Sequence, residues 1–173
     1  MTSPPTPPAA SPNPLNYFIG KGNVYMKLVG DPDDNYKHIG NVPKFEITPK
    51  PETKKHYSSM AGTKALDYVA NVSKEAEVTI ECDEITPDNL IVALLGELNS
   101  DGSIDILAAP KIERAVKLEG TNDFGAKVQV TIPHVFFDTN KAINLIGDDW
   151  GSLPLTGQVL RDPELGFGNL KFL

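Results

Sequence analysis

The sequence predicts a mainly β fold, an antiparallel β-sandwich or barrel with one flanking α-helix. Three observations predict it. Runs in which apolar and polar residues alternate recur along the chain, as half-buried strands require. Glycine (14) and proline (15) are together above average use, which breaks the chain into short elements. One stretch alone, near residues 86–98, carries apolar residues at helical spacing. At least about seven short strands with one helix fit a sandwich or barrel better than a bundle.

Each element has its own warrant. Residues 1–15 hold six prolines among Ser, Thr and Ala and read as an extended or disordered N-terminal arm, open to ordering by a partner chain. The folded domain is expected over 16–161. Val24 to Val29 reads as the first strand. Asp31-Pro32-Asp33-Asp34-Asn35 is a dense turn signal, and Tyr36 to Thr48 resumes as strand. There Phe45 and Ile47 alternate with Lys44, Glu46 and Thr48, until Pro49 and Pro51 stop the run. Residues 49–65 then read as a long polar loop, a length usually reserved for function or mobility. Leu66 to Asp83 returns to strand. Val78, Ile80 and Cys82 share one face, and Glu77, Thr79 and Glu81 the other.

The helix is expected over about 86–98. Thr86 caps it, Pro87 suits its first turn, and Asp88 complements the positive end of its dipole. Leu90, Ile91, Leu94, Leu95 and Leu98 make its apolar stripe, and Gly96 or Asn99 ends it. Asp101-Gly102 is a tight turn. Strands follow at Ile104 to Ala108, Glu113 to Glu119, Ala126 to Phe137, Lys141 to Ile146 and Leu153 to Leu160. Asp148-Asp149-Trp150-Gly151 is a turn with the only tryptophan. Residues 162–173, Gly-rich with Phe167 and Phe172, read as a C-terminal tail that docks somewhere.

With 173 residues the chain holds one domain plus tails and can bury a real core. Its net charge of −7 argues against binding nucleic acid or an anionic membrane surface, both of which need Lys and Arg. Yet a wall past which DNA must slide benefits from that sign. The single cysteine, Cys82, makes no intrachain disulfide and reads as a small buried hydrophobe. Residues 1–14 show neither the basic region nor the apolar run of a secretion signal, and no stretch nears the roughly 18 apolar residues of a membrane span. Asn71-Val72-Ser73 matches a glycosylation triplet that has no meaning without secretion.

Catalytic signatures are missing. There is no phosphate-cradling loop ending in Lys-Ser or Lys-Thr, no Gly-x-Ser-x-Gly elbow and no His-Glu-x-x-His. Gly20-Lys21-Gly22 reads as a turn into the first strand. His38, His56 and His134 have no metal-ligand spacing. Asp31, Asp33 and Asn35 copy the opening ligands of a calcium loop. But Tyr36 stands where glycine is needed and Val42 where the bidentate Glu belongs, so a solvated turn is the better reading. Neither cofactor nor metal is expected. Lys50, Lys54, Lys55 and His56 with Tyr57 form a basic run that could stack on a base, although a basic loop meeting an acidic neighbouring subunit suits a chain of charge −7 better.

Several local patterns, taken in order, carry a resemblance. They are Gly20-Lys21-Gly22-Asn23-Val24-Tyr25; His38-Ile39-Gly40-Asn41-Val42-Pro43-Lys44-Phe45; His56-Tyr57-Ser58-Ser59-Met60-Ala61-Gly62-Thr63-Lys64; Asp83-Glu84-Ile85-Thr86-Pro87-Asp88-Asn89-Leu90; Leu145-Ile146-Gly147-Asp148-Asp149-Trp150; and Leu155-Thr156-Gly157-Gln158-Val159-Leu160. Together they resemble the major tail tube proteins of long-tailed, siphovirus-like phages and prophages, over roughly residues 17–161. The Pro-rich start departs from that pattern. The resemblance implies two packed antiparallel sheets with a helix beside them, hexameric rings that stack into a tube, and DNA passing through the lumen without specific binding. It implies a structural protein of the virion tail, made in the bacterial cytoplasm. Its partners would be other copies of itself, a tail tip or initiator, a tape-measure protein and a terminator, with no enzyme activity and no membrane.

On that reading Lys50, Lys54, Lys55, His56 and Tyr57 belong to an arm reaching the next subunit or ring. Glu75, Glu77, Glu81 and Asp83 are candidates for acidic lumen charges, and Asp148, Asp149 and Trp150 for a turn in subunit contact. Two other readings stay open. A tube subunit of a secretion or injection apparatus would share the fold but deliver protein. A β-sandwich module binding sugar or a surface receptor would be a monomer with clustered exposed aromatics.

Overall fold

The computed structural model describes residues 12, 17–123 and 125–173. The Pro-rich arm expected over 1–15 lies outside the described residues, Pro12 apart. Twelve strands and one helix follow in chain order: β1 (Gly22–Leu28), β2 (Lys37–His38), β3 (Lys44–Pro49), β4 (Glu52–Ser58), β5 (Ala65–Ser73), β6 (Ala76–Cys82), α1 (Pro87–Leu94), β7 (Glu97–Leu98), β8 (Ile104–Asp105), β9 (Ile112–Gly120), β10 (Val128–Phe137), β11 (Leu153–Val159) and β12 (Asn169–Phe172). The expected fold class holds: a mainly β protein with antiparallel sheets and one helix, consistent with a β-sandwich. Among the described residues no helix is long and apolar enough to cross a membrane.

The main sheet runs β2-β1-β9-β10-β11-β6-β3, with β12 also on β10. Its first and last strands are joined by residues 39–43 alone. Laid flat, seven strands would hold those edges about 29 Å apart, at roughly 4.8 Å per neighbour. The steps from His38 to Lys44 reach at most about 21 Å. The sheet must therefore curl until its edges approach. β10 is where it divides. Its residues 128–131 pair with β12 and 135–137 with β11, while β9 follows its other side. The register shifts between Ile132 and Val135. Pro133 lies at that shift, and having no N–H it cannot donate to a ladder.

Inside the curl sit Val24, Met26, Val78, Ile80, Cys82, Val116, Ile132, Val135, Phe137, Leu153 and Leu155, all buried in one cluster. The inward run Val78, Ile80, Cys82 is wholly buried, as the alternation predicts. Burial also pushes the Cys82 thiol up to about 12, helped by the charges of Asp83 and Glu84, so it is inert at neutral pH.

Several elements differ from expectation. The span Tyr36 to Thr48 is two strands on opposite edges of the sheet, because Gly40 turns the chain between them at φ 93°. A β-carbon on Gly40 would also stand 2.6 Å from the Glu84 carboxyl carbon. The span 49–65 is not a loop. It contains β4, the tip of a hairpin and the start of β5, and Leu66 to Asp83 is two strands interrupted at Lys74–Glu75. β4 escaped notice because both of its faces are wet, so no apolar alternation marks it. Lys141 to Ile146 forms no strand; it crosses the surface with only Ile143 against the core. Ile104 to Ala108 keeps just β8, because the backbone N–H groups of Leu107 and Ala109 donate instead to the Leu94 and Leu95 carbonyls at the end of the helix (3.0 and 3.1 Å).

The helix is shorter than foreseen. Thr86 caps it as expected, accepting from the Asn89 N–H at 3.3 Å. Leu95, in the left-handed region at φ 50°, ends it before Gly96. Gly96 serves the next contact, since a β-carbon there would lie 2.6 Å from an Ile104 methyl. On the buried face the key residue is Asn89, 2% exposed. Its amide donates to the carbonyls of Ile39 (2.8 Å) and Glu84 (3.0 Å), fastening the helix to the 39–43 crossover. Asn89→Ala strands both carbonyls. It is expected to cost about 1–3 kcal/mol, read as a lower urea midpoint with unchanged slope.

Candidate assembly surfaces

Residues 44–82 form one long hairpin. Its base is β3 on β6, from Lys44↔Glu81 to Pro49↔Ala76. Its distal half is β4 on β5, from Glu52↔Ser73 to Ser58↔Ala65. Between the halves lie Lys50–Pro51 on one side and Lys74–Glu75 on the other. Pro51 breaks the ladder for want of an N–H, and the Lys50 N–H bonds the Glu75 carbonyl at 2.7 Å across the joint. Among the described residues the distal half pairs with no other strand. Seven residues of strand carry it about 23 Å beyond the sheet.

This arm holds Lys54, Lys55, His56 and Tyr57, all exposed, while Lys50 sits at its root. His56 Nδ1 lies 2.7 Å from Asp67 Oδ1 on the facing strand. Tyr57, Leu66, Tyr68, Val69 and Val72 are half exposed, and Met60 at the tip is 97% exposed. Strands of this size that bury apolar side chains against no partner element are rare in a lone chain. Sequence reading named the basic residues but not Leu66, Tyr68 and Val72. The signal was there, in the β-branched and aromatic content of 66–72.

At the base of the hairpin, β6 turns Glu77, Thr79 and Glu81 away from the core. Thr79 is opposite Thr156 of β11, and Glu77 is opposite Gln158. The expected carboxylates are separated by this geometry. Glu75 and Asp83 flank β6 at opposite ends, about 26 Å apart at the strand rise. Glu77 is paired with the Lys50 ammonium, and Glu81 lies 3.7 Å from Lys44, which also holds Glu46 at 3.2 Å. Three carboxylates (Glu46, Glu77, Glu81) thus face two ammonium groups (Lys44, Lys50), a net of −1. At the outer edge of this surface β3 has no further neighbour among the described residues, which leaves one side of its backbone as a sheet edge.

Asp148, Asp149 and Trp150 sit on the surface loop before β11. Trp150 is 98% exposed. It lines a shallow depression with Gly151, Ile85 and Asp83, so the structure joins the Trp150 turn to the acidic candidate just past the end of β6.

The calcium-like triplet is filled from within. The Lys27 ammonium bonds the Asp31 carbonyl (2.6 Å) and Asp33 Oδ1 (2.8 Å), and Asn35 donates to Asp31 Oδ2 (3.3 Å). That bond and charge hold the Asp33 carboxyl below its ordinary range. The three histidines stay apart: His38 stands edge-on to Tyr25, His56 meets Asp67, and His134 lies 3.4 Å from Glu113. Among the described residues no group of three or more His, Cys, Asp or Glu could hold a metal ion.

The hydrogen bond from Lys50, and then its charge, hold the Glu77 carboxyl below its ordinary 4.5. A carboxyl lowered in the folded state stabilises above the unfolded value and loses that contribution as pH falls through the folded one. Glu77→Gln is therefore expected to lower stability at pH 7 by less than about 1 kcal/mol, as for a partly exposed pair. The gap from the parent should close below the carboxylate range, checked by urea unfolding at both pH values.

No curated protein matches the chain. Two solved chains are similar to it at 17% identity. One comes from the tail of an empty GTA particle with C6 symmetry, with a TM-score of 0.42, covering 88% of this chain and 95% of that one. The other comes from the virion of a native gene transfer agent particle, with a TM-score of 0.38, covering 87% and 95%. A family model matches residues 17–103 and 98–170, nearly the whole described chain, and on that match the chain belongs to the family described as Protein of unknown function UCP028589.

Proposed function

We propose that this chain is a structural subunit of a phage-type tail tube, and not an enzyme. Copies close into hexameric rings, the rings stack, and DNA passes from capsid to host through the lumen. The observation that carries this reading is the hairpin of residues 44–82. One half belongs to the main sheet, and the other half is a strand pair with exposed apolar side chains and, among the described residues, no further strand beside it. A surface of that kind is completed by another copy. The free edge of β3 adds to it, because an unpaired strand edge is an aggregation hazard unless closure or a neighbour removes it. The ordered resemblance of residues 17–161 to tail tube proteins points the same way.

Under this reading the arm, with Lys54, Lys55, His56 and Tyr57 and with Lys50 at its root, makes contacts between subunits. The polar side of β3 and β6 fronts the lumen, where Glu77 and Glu81, flanked by Glu75 and Asp83, supply the negative sign. Their partial pairing with Lys44 and Lys50 keeps the net charge of the face small. Phosphates then meet a wall that neither grips them nor repels them strongly, and the duplex slides. A tail tip or initiator, a tape-measure protein and a terminator complete the assembly, and the subunit resides in the virion tail.

Negative-stain electron microscopy of the purified chain, with light scattering over a concentration series, tests the reading. Hollow rings or tubes are expected. Replacing residues 52–73 by an Asn-Gly turn should leave the circular dichroism of the core intact and abolish tubes. A particle that stays monomeric with and without the arm would sink the proposal.

A further inference from the structure

We infer that the apolar patch around Trp150 is the seat for the hairpin arm of a second copy of this chain. This deepens the tube reading above and rests on it. Trp150 (98% exposed), Ile146 (93%) and Leu145 (73%) lie on one loop, and Ile85 (49%) lines the same depression as Trp150. An indole held wholly in water beside aliphatic side chains is the profile of an anchor awaiting its pocket or its guest.

Charge complementarity selects the guest. Asp83 lines the depression, and Asp148 and Asp149 directly precede Trp150 on its loop. The arm, residues 52–73, carries Lys54, Lys55 and Lys64 against Glu52 and Asp67, a net of +1 in a chain whose total is −7. Its tip presents Met60, with Tyr57 and Leu66 opposite one another just behind. A flexible thioether over an aromatic face is a favourable contact, and the flanking lysines meet the carboxylates.

Position decides that the guest is another molecule. The arm leaves the sheet at the Glu75 end of β6, whereas the patch lies at the Asp83 end, about 26 Å away along the strand. The arm extends beyond the sheet from that far end and, among the described residues, pairs with no other strand. Two different, complementary surfaces at opposite ends of one subunit make a head-to-tail contact, which closes into a ring where its rotation allows and propagates where it does not. The contact therefore runs along the strand direction, from one subunit to the next.

Cross-linking on the full chain tests this. Gly151 tolerates a side chain, since a β-carbon there meets only ordinary contacts at 3.5 and 3.8 Å. In Ser59→Cys/Gly151→Cys tubes, mild oxidation should give a ladder of covalent multimers on a non-reducing gel. Neither single variant should give one, and buried Cys82 should not contribute. In addition, Asp148→Lys/Asp149→Lys should raise the concentration needed for tubes at least about tenfold. Lys54→Glu/Lys55→Glu added to it should restore assembly to within about threefold. Tubes that form without the ladder, with no rescue by charge exchange, overturn the seat and leave the tube reading standing. A parent chain that forms neither rings nor tubes overturns both.

Discussion

Residues 39–43 carry the chain from one edge of the main sheet to the other, and that short leash constrains everything around it. Because β2 and β3 lie at opposite ends of the strand order, the sheet has to curl, and the curl creates the enclosed volume that Phe137, Ile80, Leu153 and Leu155 fill. The leash is itself tied down. Gly40 adopts the turn that only glycine makes cheaply. Asn41 donates from its backbone to Glu84 at 3.0 Å and from its side chain to Asp83 at 2.6 Å. Asn89 holds the Ile39 carbonyl from the helix. The single helix is thus less a lid than a clamp. Its buried face carries a side-chain amide that donates twice, where another apolar residue would leave the crossover unfastened.

The same constraint places β3 at a sheet edge, and from that edge the chain runs directly into the arm. One hairpin therefore passes through two solvent regimes. At its base the inward residues of β6 are wholly buried; beyond the Pro51 joint neither face is covered. Proline at the joint suits both halves. It stops the ladder without requiring a loop, and the Lys50 to Glu75 hydrogen bond keeps the two strands in register across the gap.

Electrostatics follow from the pairing more than from the composition. Glu77 and Glu81 stand on the polar face that alternation assigns them, but cross-strand register sets Lys44 opposite Glu81, and the chain's exit sets Lys50 beside Glu77. The strongly acidic wall that a count of carboxylates suggests becomes a mixed surface with a small negative balance. Likewise the acidic turn at 31–35 does not gather a cation from outside, because the Lys27 ammonium of β1 already lies within it.

What the sequence by itself determined was local. Alternation marked the buried faces of β6, β9 and β10, the Thr86-Pro87-Asp88 signal marked the start of the helix, and the dense turn residues marked the 31–35 and 101–102 reversals. The basic residues of 50–57 and the Asp148-Asp149-Trp150 turn were also legible as surface features. Tertiary structure decided the rest, for a physical reason common to each case. Periodicity reports burial, and where burial is absent, as in β4, a strand leaves no alternating trace. Helix length was set by Leu95 and by the carbonyl contacts of Leu107 and Ala109, which come from residues remote in sequence. The separation of Glu75 from Asp83, the union of Asp83 with Trp150, and the placing of arm and patch at opposite ends all depend on which strands pair. Such long-range contacts are chosen by the free energy of the whole packed chain, and no short window of sequence contains them.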